Sequence, residues 1–434
     1  MDLGSPRDLP AKADFFTRNL ASPTYRYCEE QPWKPLSSNI ANWDIDFHSL
    51  LCSDRIRVTA YERAIHVTVK SILKEASSSR LCVVDVGTGS GILSNQVIKT
   101  WHEEYRSGRT NVALDLIAIE ANPKIARLAS AHLSSRWAVV SPSILKIEVL
   151  PLTTFDFVTS CSSDPYFRRV DLIVSELMGN IGDNEDMVTT ISQIRARMLS
   201  PRGRCIPLRI HQFLAPITSE RLWNAVRDSR VQGSARAYDF EGIQAYYDAI
   251  IPARCHLSDP VRTNTFDFEV PSSLIGEYRR YSSWRMSRTA ALHGFKTWFV
   301  ADVAPGVVLD LDPPGPTGVP ERDRDMAEWD YSRRNVSDCW KHGFLSLPDP
   351  IAVHEGDFVN VSFCRDHGTT GIVRYSVDGR VVGTDHKNDT LIQQSVRFDM
   401  PFSGNNPVVS ADAPLPIESD LAATRPTPSS LAQH

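Results

Sequence analysis

The sequence predicts an α/β protein, with a doubly wound, Rossmann-like domain followed by a second, mostly antiparallel β domain. Three observations carry this. Between about 55 and 205, short apolar runs alternate with stretches of helical spacing, the pattern of strands and helices in turn. A cluster of glycines, Gly87, Gly89 and Gly91, follows directly on the first apolar run. Beyond about 205 the spacing changes to period-two strands.

In chain order, residues 1–38 are proline-dotted and polar, and read as a partly disordered arm. Tyr61, Ala64, Ile65, Ile72 and Leu73 follow helical spacing. Leu81 to Val86 reads as a buried parallel strand, with a helix starting near Gly91. Leu114 to Glu120 is a second strand, and Pro123 opens a helix reaching about Leu133. Val170 to Val174 is a third strand. Met187, Ile191, Ile194 and Met198 mark one face of a helix stopped by Pro201 and Gly203. Further on, His293 to Val303, Val307 to Leu311 and Asp357 to Cys364 read as strands. Asp378-Gly379, between two β-rich runs, is a type I′ hairpin signal. Asp312 to Asp325 is a proline-rich loop. The expected division is an arm at 1–38, a Rossmann-like domain at 39–206, a β domain at 207–402, and a disordered tail at 403–434.

Composition narrows the class. The 434 residues carry a formal net charge of −5, which is not the basic footprint of a nucleic-acid binder. The eight cysteines lie far apart, with no CxxC or Cys/His cluster to hold a metal. No run approaches the ~20 apolar residues of a membrane span, and the first residues have no apolar signal core. Reduced thiols in the cytoplasm, the nucleus or both are expected. The sequons at Asn335, Asn360 and Asn388 are read as chance matches.

Two stretches carry chemistry. In VVDVGTGSGIL (83–93) the glycines allow a sharp turn and close approach of a ligand to the backbone. A dinucleotide loop expects GxGxxG and an acid about 20 residues on. Here the third glycine comes one residue early and the candidate acid, Glu120, stands 33 residues after Gly87. In SELMGNIGDNE (175–185), Glu176 ends a buried strand and Glu185 stands nine residues later. Ligands of open α/β sheets bind outside the carboxyl ends of strands. Two close carboxylates repel unless a cation joins them, and a planar, permanently charged guanidinium is the natural one.

The glycine stretch, with Asp85 before it, is similar to motif I of class I S-adenosylmethionine (SAM) methyltransferases. SELMGNIGDNE resembles the double-E loop of the protein arginine N-methyltransferases, with wording closest to the symmetric-dimethylating (type II) branch. Phe213 to Ile217 and Arg221 to Asn224 also resemble that branch, and the resemblance covers roughly 40–400. It implies a SAM-binding domain followed by a β-barrel, with SAM held by Asp85, Gly87, Gly89, Gly91 and Glu120. Within DRIRVTAYERAI (54–65), Arg57 would pair with the SAM carboxylate. Glu176 and Glu185 would be catalytic, gripping an arginine of a protein substrate. Tyr25, Met178 and Trp340 would line the substrate pocket. The family also implies a homodimer through an arm inserted in the barrel, for which 218–255, with Tyr246 and Tyr247, is the candidate. No metal, membrane or direct nucleic-acid partner is expected.

The chain departs from the pattern at two places. Cys28 stands where the type II branch has a phenylalanine, three residues after a Thr-Tyr pair (here Thr24-Tyr25), and in an alternative register Leu51 falls nearer the site. Cys339 replaces the histidine before the tryptophan of the family's Thr-His-Trp loop. The methylation product stays open. A barrel that docks a β-propeller partner, as in the larger type II enzymes, is not expected in residues 1–38. The alternatives are a small-molecule SAM methyltransferase, a catalytically silent scaffold of the same fold, and an NAD-linked oxidoreductase.

Overall fold

The computed structural model describes residues 51–52, 54–161, 169–231, 246–249, 251–270, 276–312, 337, 340, 342–367, 372–383 and 389–399. The arm (1–38), residues 313–325 of the proline-rich loop, the tail (403–434), Asn335, Asn388, Tyr25, Cys28 and Cys339 lie outside the described residues.

The chain alternates α1 (Arg55–Glu75), β1 (Arg80–Val86), α2 (Ile92–Arg106), β2 (Ala113–Ile119), α3 (Pro123–Trp137), β3 (Leu145–Leu150), α4 (Thr154–Ser160), β4 (Val170–Ser175), α5 (Met187–Met198) and β5 (Leu199–Ile206). Local chemistry sets the helix starts. Asp54 accepts hydrogen bonds from the Ile56 and Arg57 N–H groups at 3.1 Å each, capping α1. Asn122 caps α3, with Pro123 at the first helical position, where its missing N–H costs nothing. Each apolar stripe expected from spacing turns inward. Tyr61, Ala64 and Ile65 of α1 are buried, as are Met187, Ile191, Ile194 and Met198 of α5. That helix ends at Met198, just before the Pro201 and Gly203 expected to stop it, and both of these lie inside β5, which joins β4 with a shift of register.

The first five strands form one parallel sheet in the order β3-β2-β1-β4-β5. The order reverses between β1 and β4, which opens a crevice beyond the carboxyl ends of these strands. Register sharpens the point. Val86 of β1 pairs with Ile119 of β2 on one side and with Ser175 of β4 on the other. The next residue of each strand, Gly87, Glu120 and Glu176, therefore leaves the sheet at the same edge.

After β5 the strands become antiparallel: β6 (Arg209–Ile217), β7 (Tyr246–Ala249), β8 (Val261–Asp267), β9 (Tyr278–Arg285), β10 (Ala290–Ala304), β11 (Val307–Asp310), β12 (His342–Val353), β13 (Phe358–His367), β14 (Ile372–Val382) and β15 (Asp389–Asp399), with helix α6 (Glu220–Val231) after β6. They form two sheets. One runs β7-β12-β10-β6-β8, with β11 also on β10; the other runs β15-β14-β13-β9. One continuous apolar core joins the halves. Val83, Val97, Ile191 and Met198 share it with Ile210, Phe299, Val303 and Leu309. Trp284, Phe295, Leu345, Val359, Val361 and Phe363 form a second core in the antiparallel half.

The hairpin expected at Asp378-Gly379 is not there. Both residues lie within β14, paired with Ser362 and Val361 of β13 and with Gln393 and Ile392 of β15. Glycine serves close strand approach rather than a turn: a Cβ at 379 would stand 2.0 Å from the Asn360 carbonyl oxygen and 2.7 Å from the Val361 Cα. The Gly379→Ala variant is accordingly expected to lose about 2 to 3 kcal/mol, as overpacking against backbone does. Urea midpoints of the two proteins measure this, and an unchanged midpoint would refute the close-approach account.

Candidate active site

The glycine loop is built by hydrogen bonds before any ligand enters. The Gly87 and Thr88 N–H groups both donate to the Ile119 carbonyl at 2.9 Å, which bends the chain off β1. Gly87 has a φ of +68°, and a Cβ there would meet Leu177 of the acid loop at 2.6 Å. Glycine is thus required by conformation and by space. Gly89 and Gly91 also have positive φ, and Gly91 caps α2. Asp85 is fully buried. Its Oδ2 accepts from the Thr88 hydroxyl (2.6 Å), the Ser94 hydroxyl (2.6 Å) and the Ser94 N–H (3.0 Å). Burial raises its pKa, and those three donors oppose the rise. As placed, Asp85 stitches the loop to α2.

Glu120 stands where the sequence put it, at the end of β2. Its Oε2 accepts from the Gly89 N–H at 2.9 Å and its Oε1 from the Asn122 N–H at 2.8 Å. One carboxylate thereby fixes both the middle of the glycine loop and the start of α3. Burial pushes its pKa up to about 7, against those two donors.

Glu176 lies just past β4. Its Oε2 takes an N–H from Arg57 of α1, and its Oε1 the Met178 N–H at 3.2 Å. Burial raises its pKa and the Arg57 guanidinium opposes that rise. Tyr61, one turn on from Arg57, donates its hydroxyl to the Ser175 carbonyl at 3.0 Å and so pins α1 to the strand end. Met178 is buried. Trp340 donates its indole N–H to the Met178 carbonyl at 2.7 Å and packs edge-on against Phe299. Glu185 is partly exposed in the same loop, between the buried Asn184 and Asp186. Arg57, Glu176, Met178 and Trp340 are thus joined by direct contacts, as are Glu120 and Gly89.

Several contributors were not foreseen. Thr88 and Ser94 hold Asp85. Ser337 donates to Asp54 at the start of α1. Gln212 of β6 donates to the Ile181 carbonyl of the acid loop at 2.8 Å, and Arg365 of β13 forms an ion pair with Asp183 at 2.5 Å. One signal for Arg365 was available. It continues the alternation Val359, Val361, Phe363 onto the core face, where a charged side chain needs a partner.

A parallel sheet in this order, with a glycine turn after β1 and an acid ending β2, is a Rossmann-like domain. Residues 17–206 match the family described as PRMT5 arginine-N-methyltransferase. The chain is 23% identical to protein arginine N-methyltransferase 5 of Caenorhabditis elegans over 376 residues, covering 80% of this chain and 47% of that one. It is 28% identical to protein arginine N-methyltransferase 6 of Xenopus laevis over 365 residues, covering 79% and 92% of the two. The crystal structure of Arabidopsis thaliana protein arginine methyltransferase 10 has the same fold, with a TM-score of 0.59, 20% identity, and coverage of 83% of this chain and 100% of that one. These matches make the chain similar to protein arginine N-methyltransferases over most of its length. It spans about half the length of the curated methyltransferase 5 relatives it matches.

The raised pKa of Glu120 has a consequence for stability. The folded value, about 7, lies above the ordinary 4.5, so the folded state binds the proton more tightly than the unfolded chain. Stability from this group is greatest below about pH 4.5 and falls as the pH rises to about 7. Between pH 5 and pH 8 the wild type should lose about 3 kcal/mol relative to Glu120→Gln. Urea midpoints across this range test it, and parallel curves would show that Glu120 does not titrate there.

Proposed function

We propose that this chain transfers a methyl group from SAM to a guanidino nitrogen of arginine in protein substrates, leaving S-adenosylhomocysteine. The observation that carries the proposal is the shared register of Val86, Ile119 and Ser175, which sends the glycine loop, Glu120 and Glu176 out of the sheet side by side.

The residues present suit SAM. An ionised carboxylate offers about four acceptor positions, and backbone N–H groups take one on each Glu120 oxygen, which leaves acceptors for two ribose hydroxyls. The loop beside it carries no side chain at 87, 89 or 91. Arg57, a buried cation at the same edge, is the partner for the cofactor's carboxylate that the family resemblance implies. When bound, SAM supplies an electrophilic methyl group on a sulfonium.

The acids would do the rest. Glu176 accepts a guanidinium in this structure, that of Arg57, so its surroundings already suit such a partner. Glu176 and Glu185 would grip the substrate guanidinium, aim one nitrogen at the methyl group and keep the positive charge on the remainder. This is catalysis by positioning and fixed charge. After transfer the methylated guanidinium sheds one proton. Glu176, its pKa raised by burial, is a better acceptor for it than an exposed carboxylate. Met178 and Trp340 would wall the pocket through their mutual hydrogen bond. A second copy of the chain is the proposed partner through 218–255, which holds α6 and β7.

Incubation with labelled SAM and an arginine-glycine-rich peptide, read by mass spectrometry, is the test. Methylarginine is expected from the wild type. Glu176→Gln and Glu185→Gln should each lower kcat by about 100-fold or more, with SAM affinity by calorimetry held within about threefold and NAD unbound. Full activity in Glu176→Gln, or no methylarginine from the wild type, would overturn the assignment.

A further inference from the structure

The acid loop concentrates negative charge: Asp183, Glu185 and Asp186 fall within four residues. Asp183 and Asp186 are buried, and Asp186 has a left-handed backbone, φ +60°, uncommon for a residue with a side chain. Such a loop needs an outside hold. It comes from the antiparallel half, from a residue 180 positions further along the chain from Glu185. Arg365 of β13 is fully buried. Its Nε lies 2.5 Å from Asp183 Oδ2, its Nη2 lies 3.3 Å from Asp186 Oδ1, and its Nη1 donates to the Gly276 carbonyl.

The neighbours make this a designed seat rather than a chance contact. The other oxygen of Asp183 accepts the Val188 N–H at 2.7 Å, tying the loop to the first turn of α5. Asn184 accepts the Ile181 N–H at 2.9 Å. Gln212, which holds the Ile181 carbonyl, is itself fixed by the hydroxyls of Tyr278 (2.5 Å) and Tyr375 (3.1 Å). Between the two aspartates stand only Asn184, turned inward, and Glu185, partly exposed.

We propose that Arg365 is a positioning residue for methyl transfer: by gripping Asp183 and Asp186 on either side of Asn184-Glu185, its guanidinium fixes where the Glu185 carboxylate is presented. This rests on the arginine methyltransferase reading above. A planar fork can meet two carboxylates at once, which a lysine cannot do. Misplacing a reacting group by about 1 Å costs about 100-fold in rate, so losing the fork should appear in kcat while the glycine loop and Glu120 keep their hold on SAM.

Arg365→Met alone would take the guanidinium away from two buried acids and could unfold the chain. The decisive variant is therefore Asp183→Asn/Asp186→Asn/Arg365→Met, which removes all three charges together. Arg365→Lys, which keeps a charge but not the fork, accompanies it. Wild type and variants are compared for methylation of the arginine-glycine-rich peptide, SAM affinity by calorimetry and thermal midpoint. The expected result is a kcat lowered about 30- to 100-fold in the triple variant and about fivefold in Arg365→Lys, with SAM affinity and peptide KM within about twofold of wild type. A wild-type kcat in either folded variant overturns the proposal. So does a loss of SAM affinity in step with kcat, because that marks a general structural role. An inactive wild type overturns the methyltransferase reading itself, and this proposal with it.

Discussion

The site depends on one matter of register, the alignment of three parallel strands at their carboxyl ends. A shift of β4 by a single residue would turn its side chains to the opposite face and separate Glu176 from the glycine loop. The register is held on both sides of β1. Val83, Val84 and Leu172 are buried there with no exposed surface to trade. The Ser175 hydroxyl donates to the Val86 carbonyl at 2.9 Å, and the Tyr61 hydroxyl reaches the Ser175 carbonyl. Apolar burial sets the strands, and a few hydrogen bonds at their ends set the chemistry.

Charge at this edge is held in a low-dielectric setting. Asp85, Glu120, Glu176 and Asp183 all have pKa values raised, and in each case burial is the largest cause. Their opposing donors differ in kind. Asp85 and Glu120 rely on hydroxyls and backbone N–H groups within the parallel half, whereas Glu176 and Asp183 rely on arginines. The glycine-loop side is thus self-contained. The acid loop is completed from outside, by Arg57 of α1 at one end and Arg365 of β13 at the other.

Much of this was legible in the sequence, for physical reasons. The parallel strands are continuous apolar runs ending at glycine or acid, and the helices show their buried faces through spacing. Glu120 and Glu176 stand at the strand ends that the apolar runs marked. What the sequence hid was contact over long chain distances. The pairing of Arg365 with Asp183 spans 182 residues, and no local pattern encodes a partner. The error at Asp378-Gly379 has a related cause. A glycine after an aspartate serves a tight turn and a crowded strand equally well, and only the neighbouring backbone at Asn360 distinguishes them.

The shared core places a limit on modular thinking about this chain. β5 ends at Ile206 and β6 begins at Arg209, so the junction looks like a convenient cut. Yet Gln212, Trp340 and Arg365, all beyond it, reach back to the loop that bears the acids. The two halves are not interchangeable cassettes. A graft with the same strand order but without an amide, an indole and a guanidinium at these three places would reproduce the silhouette and lose three holds on the acid loop.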